Sequence, residues 1–122
     1  MESSPSPVPF ESAYCPKFQN AVELIGRRWS GAIVRALLAG CVRYGEILNR
    51  VPGLSDRLLS ERLRELESAD IVSRTVYPDI PVRIEYRLTE KGRELQQIVE
   101  AISGWAERWA DPSTLPEPAN AH

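Results

Sequence analysis

Four polar side chains fall on one side of a predicted helix. Arg57, Ser60, Glu61 and Arg64 recur at helical spacing within Ser55 to Ala69, opposite Leu59, Leu63 and Leu66, with Leu58 beside those leucines. An arginine fork can donate two parallel hydrogen bonds to a guanine edge, which contributes about 1–3 kcal/mol of discrimination against other bases. A glutamate can accept from cytosine, or hold a neighbouring arginine in place. A merely solvated helix face has the same composition, so the neighbouring elements must decide between the two readings.

Those elements come in a telling order. A short apolar-patterned segment, Tyr44 to Val51, leads into the turn Pro52-Gly53 and then the helix. Ser55 suits an N-cap, Asp56 suits the positive end of the helix dipole, and Leu54 with Leu59 has the spacing of a hydrophobic staple. Two β-prone runs follow, Ile71 to Tyr77 and Val82 to Leu88, joined by Pro78-Asp79-Ile80-Pro81. In the second, Val82, Ile84, Tyr86 and Leu88 alternate with Arg83, Glu85 and Arg87. Helix, tight turn, helix and two-stranded ribbon is the order of a winged helix-turn-helix, which sets one helix in the major groove and a hairpin against the flanking groove or backbone. On this reading Tyr44 and Ser55, at helix starts, face phosphates. Arg83 beside the wing tip is the expected minor-groove or backbone contact, with Arg43 and Arg74 as weaker candidates. The apolar Ile80 at the tip has two readings: packing against sugar edges in a groove, or a stiff loop with no function of its own.

Helices are also expected on either side. Phe18, Val22, Ile25 and Trp29 share a face after the helix entry at Cys15-Pro16, and Gly26 divides this stretch into Pro16 to Ile25 and Trp29 to Ala39, with Ser30 as an alternative start. Thr89 can cap a last helix along which Leu95, Ile98, Val99, Ile102, Trp105, Ala106 and Trp109 form a wide apolar stripe. One small domain cannot easily cover both faces. A two-fold homodimer through Phe18, Val22, Ile98, Ile102, Trp105 and Trp109 is therefore expected, the other reading being a cap on the domain's own core. The expected fold class is α+β, mainly α: a winged helix-turn-helix with N- and C-terminal dimerisation helices in residues 13–110, between flexible tails at 1–12 and 111–122.

Charge sets a constraint. The formal net charge is −2, and the segment from Glu94 onward carries −4, leaving +2 for residues 1–93. Electrostatics of that size will not give tight DNA binding alone, so the fold must place the phosphate contacts and a dimer must double them. The acidic balance also keeps open a winged module that binds protein without binding DNA. An enzyme is not expected: the one histidine is His122, in the predicted tail, and no Gly-rich phosphate loop follows a strand. No metal or cofactor is expected. No apolar run approaches the ~20 residues that span a membrane, and no secretory signal is evident, so the expected location is cytoplasmic. Cys15 and Cys41 are the two cysteines, expected to be reduced there.

The blocks themselves resemble a known family. Cys15-Pro16, Leu24-Ile25-Gly26-Arg27-Arg28-Trp29, Arg43-Tyr44-Gly45-Glu46-Ile47, Pro52-Gly53-Leu54-Ser55 and the run Leu58 to Glu67 look like the HxlR-type branch of winged helix regulators, related to the MarR group. So do Val76-Tyr77-Pro78, Pro81, Arg83, Glu85-Tyr86 and Leu88-Thr89-Glu90 with Gly92. The match runs from about Cys15 to Trp109. It implies a bacterial, homodimeric transcription factor that reads a pseudo-palindrome in double-stranded DNA and dimerises through its first and last helices. It further implies an electrophile or oxidant sensor at Cys15, where Lys17 and the helix entry would favour a thiolate; an inert cysteine at the seam is the alternative. Cys41 departs from the family pattern, as a second sensor or a small buried residue. A small-molecule effector among Phe18, Trp29, Trp105 and Trp109 is a further option, with packed core as the other reading of those rings.

Overall fold

The computed structural model describes residues 14–111 and residue 113. The expected N-terminal tail and most of the C-terminal one therefore lie outside the described residues. Among the described residues, six helices and one hairpin follow in the order α1 (Pro16–Ile25), α2 (Ser30–Leu38), α3 (Tyr44–Arg50), α4 (Asp56–Ser68), β1 (Val72–Tyr77), β2 (Arg83–Leu88), α5 (Glu90–Arg93) and α6 (Leu95–Trp109).

The core lies among α2, α3, α4 and the base of the hairpin. Ile33 and Val34 of α2, Ile47 of α3, Leu59, Leu63 and Leu66 of α4, and Val72 of β1 are all buried. A fully buried leucine contributes ~1.5–3 kcal/mol, so the three on α4 are enough to fix which side of that helix faces out. Ser55 caps α4 by accepting from the Leu58 amide at 3.2 Å. Leu54 and Leu59 are both buried, as a staple requires. The α3–α4 turn needs Gly53, whose φ of 88° is disfavoured for residues with a Cβ.

The hairpin is antiparallel, with Val72 opposite Leu88 and Tyr77 opposite Arg83. The chain before α3 forms a third edge: Tyr86 N donates to the Val42 carbonyl at 2.8 Å, and Arg43 bridges to Glu85. That edge changes the expected alternation. Glu85, read as part of the polar side of the strand, is only 7% exposed because the Arg43 segment covers it, whereas Val82 is exposed beyond the end of the strand.

Two helix limits also differ from expectation. Trp29 does not begin α2; its φ of 77° is left-handed and α2 starts at Ser30, the alternative start. The C-terminal helix divides at Glu94 into the short turn α5 and the long α6. Neither α1 nor α6 has a buried residue. Phe18 and Val22 of α1, and Ile98, Ile102, Trp105 and Trp109 of α6, are all exposed.

Candidate nucleic-acid interface

The outward side of α4 is built by its inward side. With Leu59, Leu63 and Leu66 buried, Arg57 and Arg64, seven residues apart, point out along one line. Glu61 lies between them, half-buried, with one carboxylate oxygen 3.4 Å from Arg57 Nη1. It holds an arginine in the way expected, and Arg64 has no ion pair of this kind among the described residues.

Ser60 and Tyr44 do not face outward as free hydroxyls. Tyr44 Oη donates to the Asp56 carbonyl at 2.8 Å and lies 2.9 Å from Ser60 Oγ. Tyr44 has spent its proton on Asp56, so Ser60 supplies the proton between the two hydroxyls. The pair fastens the start of α3 to the first turns of α4. The sequence reading gave both residues to DNA; the geometry gives each an internal partner first. Ser55 is exposed at the α4 N-terminus, and its oxygen already accepts from the Leu58 amide.

The start of α3 is also held by Glu46. Its Oε1 accepts from the Val42 and Arg43 amides at 2.9 and 3.0 Å. The Arg43 bond first, then that from Val42, holds this carboxyl below the ordinary glutamate range.

In the wing, Arg83 is engaged on three sides. Nε donates to Asp79 Oδ2 at 3.0 Å, Nη1 to Glu85 Oε2, and the guanidinium sits 4.0 Å from the centre of the Tyr77 ring. Arg87 Nη2 donates to the other Glu85 oxygen at 2.8 Å. The hydrogen bond from Arg87, then that from Arg83, holds the Glu85 carboxyl below its ordinary range against the opposing effect of burial. Two acids, Asp79 and Glu85, therefore balance the two arginines, Arg83 and Arg87, from the wing tip along β2. The alternation of β2 hid this: it placed Arg83, Glu85 and Arg87 on the polar side of the strand, with Arg83 expected on DNA, and did not show that the three pair with one another. Ile80 at the tip is fully exposed, at 101%.

Sequence reasoning also missed Arg62. It occupies the i+3 position of the stripe Leu59, Arg62, Leu63, Leu66 and is buried with those leucines. An arginine inside an apolar stripe was the available signal. Of the cysteines, Cys15 is exposed at the start of α1, whereas Cys41 is buried in the core cluster, the second of its two readings. Of the four aromatics considered for an effector, Trp29 packs against the core, whereas Phe18, Trp105 and Trp109 are exposed. A cavity of about 660 Å³ between the α1–α2 turn and α6 is lined instead by residues including Ile25, Arg35, Val99 and Ile102.

The comparisons agree with this geometry. The model of a family described as HxlR-like helix-turn-helix matches residues 24–114. The chain is 50% identical over 105 residues to YvaP of Bacillus subtilis, an uncharacterised HTH-type transcriptional regulator, covering 86% of this chain and 97% of the relative. The reduced form of the transcriptional regulator YodB from B. subtilis superposes with a TM-score of 0.72 at 42% identity, covering 81% of this chain and 97% of that one. The redox regulator HypR in its oxidised form superposes with a TM-score of 0.73 at 37% identity, covering 80% and 99%.

Proposed function

The chain belongs to the HxlR-like helix-turn-helix family, and on that premise we propose that it is a transcriptional regulator that binds a pseudo-palindromic operator as a homodimer. One observation carries the reading. Arg57 and Arg64 stand exposed on one line of α4, while the opposite side of that helix is locked into the core beside a β-wing. Arg57 and Arg64 meet base edges, Glu61 orients Arg57, and Ser55 lies where the α4 N-terminus approaches phosphate. Tyr44 and Ser60 hold the two helices at their angle. Arg83 reaches DNA only by exchanging its contacts with Asp79 and Glu85. The winged domain takes in residues 13–110, and the partners are double-stranded DNA and a second copy of the chain.

Titration of the chain into its own upstream DNA, followed by fluorescence polarisation, tests the reading. Arg57→Ala should relax preference at one base pair per half-site, by about 1–3 kcal/mol. A uniform loss across all sequences would remove Arg57 from base reading. Saturating binding to a protein partner with no preference for any DNA would favour the protein-binding module.

A second reading rests on the exposed Cys15 at the start of α1. A quinone can add to this thiol, forming a sulfur–carbon bond while the thiol proton passes to the ring. The adduct would sit beside Phe18 and Val22 and alter the dimer. Modification of Cys15, followed by mass spectrometry, with unaltered operator binding would dispose of the switch. Among the described residues no helix is long and apolar enough to cross a membrane.

A further inference from the structure

The turn between α1 and α2 meets the reading helix at a buried charge. Arg62 of α4 is 8% exposed, and its Nε donates to the Arg28 main-chain carbonyl at 2.8 Å. Its Nη1 donates to Glu65 Oε2 at 3.2 Å, and Arg27 Nε lies 3.1 Å from the other Glu65 oxygen. The same Nη1 is 3.7 Å from Glu61 Oε1, and the second Glu61 oxygen faces Arg57. A run of alternating charge thus leads from the outward Arg57, through Glu61, Arg62 and Glu65, to Arg27 in the turn.

The turn can bear such a link. The Gly26 amide donates to Val22 at 2.7 Å and the Ser30 amide to Arg27 at 2.9 Å. Trp29 is held left-handed, a conformation that a bulky residue keeps only where its surroundings over-determine it, and its side chain packs against the core. A buried guanidinium is costly unless paired and hydrogen-bonded, so the contacts of Arg62 define its place. A lysine ammonium lacks the planar fork that serves a carbonyl and a carboxylate together.

We infer that Arg62 is a positioning residue for DNA recognition: through the Arg28 carbonyl and Glu65 it sets the pose of α4 against the end of α1. In a dimer joined through α1 and α6, that pose fixes the separation of the two reading helices. The inference rests on the proposed roles of α4 and α1. Half-sites on DNA lie about one helical turn apart, so a small change of pose shows first in spacing preference.

The test uses the full chain and a duplex that the wild type selects from a random pool, together with the same duplex carrying one base pair inserted or removed at its centre. The wild type should prefer the selected spacing by about tenfold or more, equivalent to 1.4 kcal/mol. Arg62→Gln should bring the three duplexes within about twofold, with affinity for unrelated DNA and its salt slope unchanged. Arg62→Lys should fall between. Circular dichroism establishes that each variant is folded. If Arg62→Gln does not fold, the exposed Arg27→Ala serves in its place and should erode the preference in the same direction. A folded variant that keeps the full wild-type preference overturns the positioning role. A wild type that selects no duplex overturns the DNA-binding reading itself, and the two failures are distinct.

Discussion

Tyr44 Oη lies 2.9 Å from Ser60 Oγ and donates to the Asp56 carbonyl, so a side chain from the first residue of α3 closes onto α4. A net hydrogen bond contributes about 0.5–1.5 kcal/mol, and a buried group left without its partner costs more. Tyr44→Phe should therefore lower the stability of the fold by about 1–2 kcal/mol in urea melts. Ser60→Ala should lower it less, and the double variant should fall short of the sum. A Tyr44→Phe protein that melts like the wild type yet binds operator weakly would place the hydroxyl on phosphate after all.

Glu85 supplies a pH prediction whose sign is set by its neighbours. Hydrogen bonds from Arg87 and Arg83 hold its carboxyl below the ordinary range in the folded state. A depressed folded value contributes stability that is present above the unfolded value, about 4.3, and is lost as the pH falls through the folded one. Glu46, held down by the Arg43 and Val42 amides, acts in the same direction. Glu85→Gln should be less stable than the wild type at pH 7, and the difference should shrink as the pH drops below the ordinary glutamate range. Urea midpoints across a pH series read this directly. A difference that stays constant with pH would mean that Glu85 acts by packing rather than by charge.

Much of this was legible in the residues. α4 declared itself through Ser55, the leucine stripe and the Pro52-Gly53 turn, because capping, helical period and turn chemistry are all local. The hairpin did so through its bounding prolines. What stayed hidden depended on contacts distant in the chain. Glu85 is buried by residues 42–43, Arg62 is satisfied by a carbonyl 34 residues away, and Tyr44 meets Ser60 across the turn. No periodicity within one element reports a partner in another. Trp29 misled for a different reason: it sits at helical spacing from Ile25, but its left-handed backbone moves the start of α2 to Ser30.

The apolar faces of α1 and α6 call for a partner. Ile102 lies among Ile98, Trp105 and Trp109, all exposed on one side of α6. A carboxylate placed there would be buried without a counter-charge if a second copy covers the face. Ile102→Glu should shift the protein from dimer to monomer in sedimentation velocity at micromolar concentration. Operator affinity should fall by about tenfold or more, since each monomer keeps only half of the phosphate contacts. Unchanged mass would move the dimer contact off α6, and a wild type that sediments as a monomer would end the dimer proposal.

Gly92 joins the wing to the C-terminal helices, and its lack of a side chain is required by close approach rather than by an unusual backbone angle. Its amide donates to Thr89 Oγ1 at 3.0 Å, while Thr89 donates its own amide to the Ile71 carbonyl at 3.0 Å and its hydroxyl to the Asp70 carbonyl at 2.6 Å. A Cβ on residue 92 would collide with the Ile71 carbonyl oxygen, a backbone atom that cannot swing away, and would press on Leu88 Cδ2. Within an open helix, Gly→Ala usually stabilises by roughly 0.5–1 kcal/mol. Here the sign should reverse: Gly92→Ala should cost about 1–3 kcal/mol, the range for overpacking a tight site, read as a lower urea midpoint. A rise in stability would show that the junction of β2, α5 and α6 is looser than these contacts require, and that the wing is not rigidly tied to the helix proposed to carry the dimer.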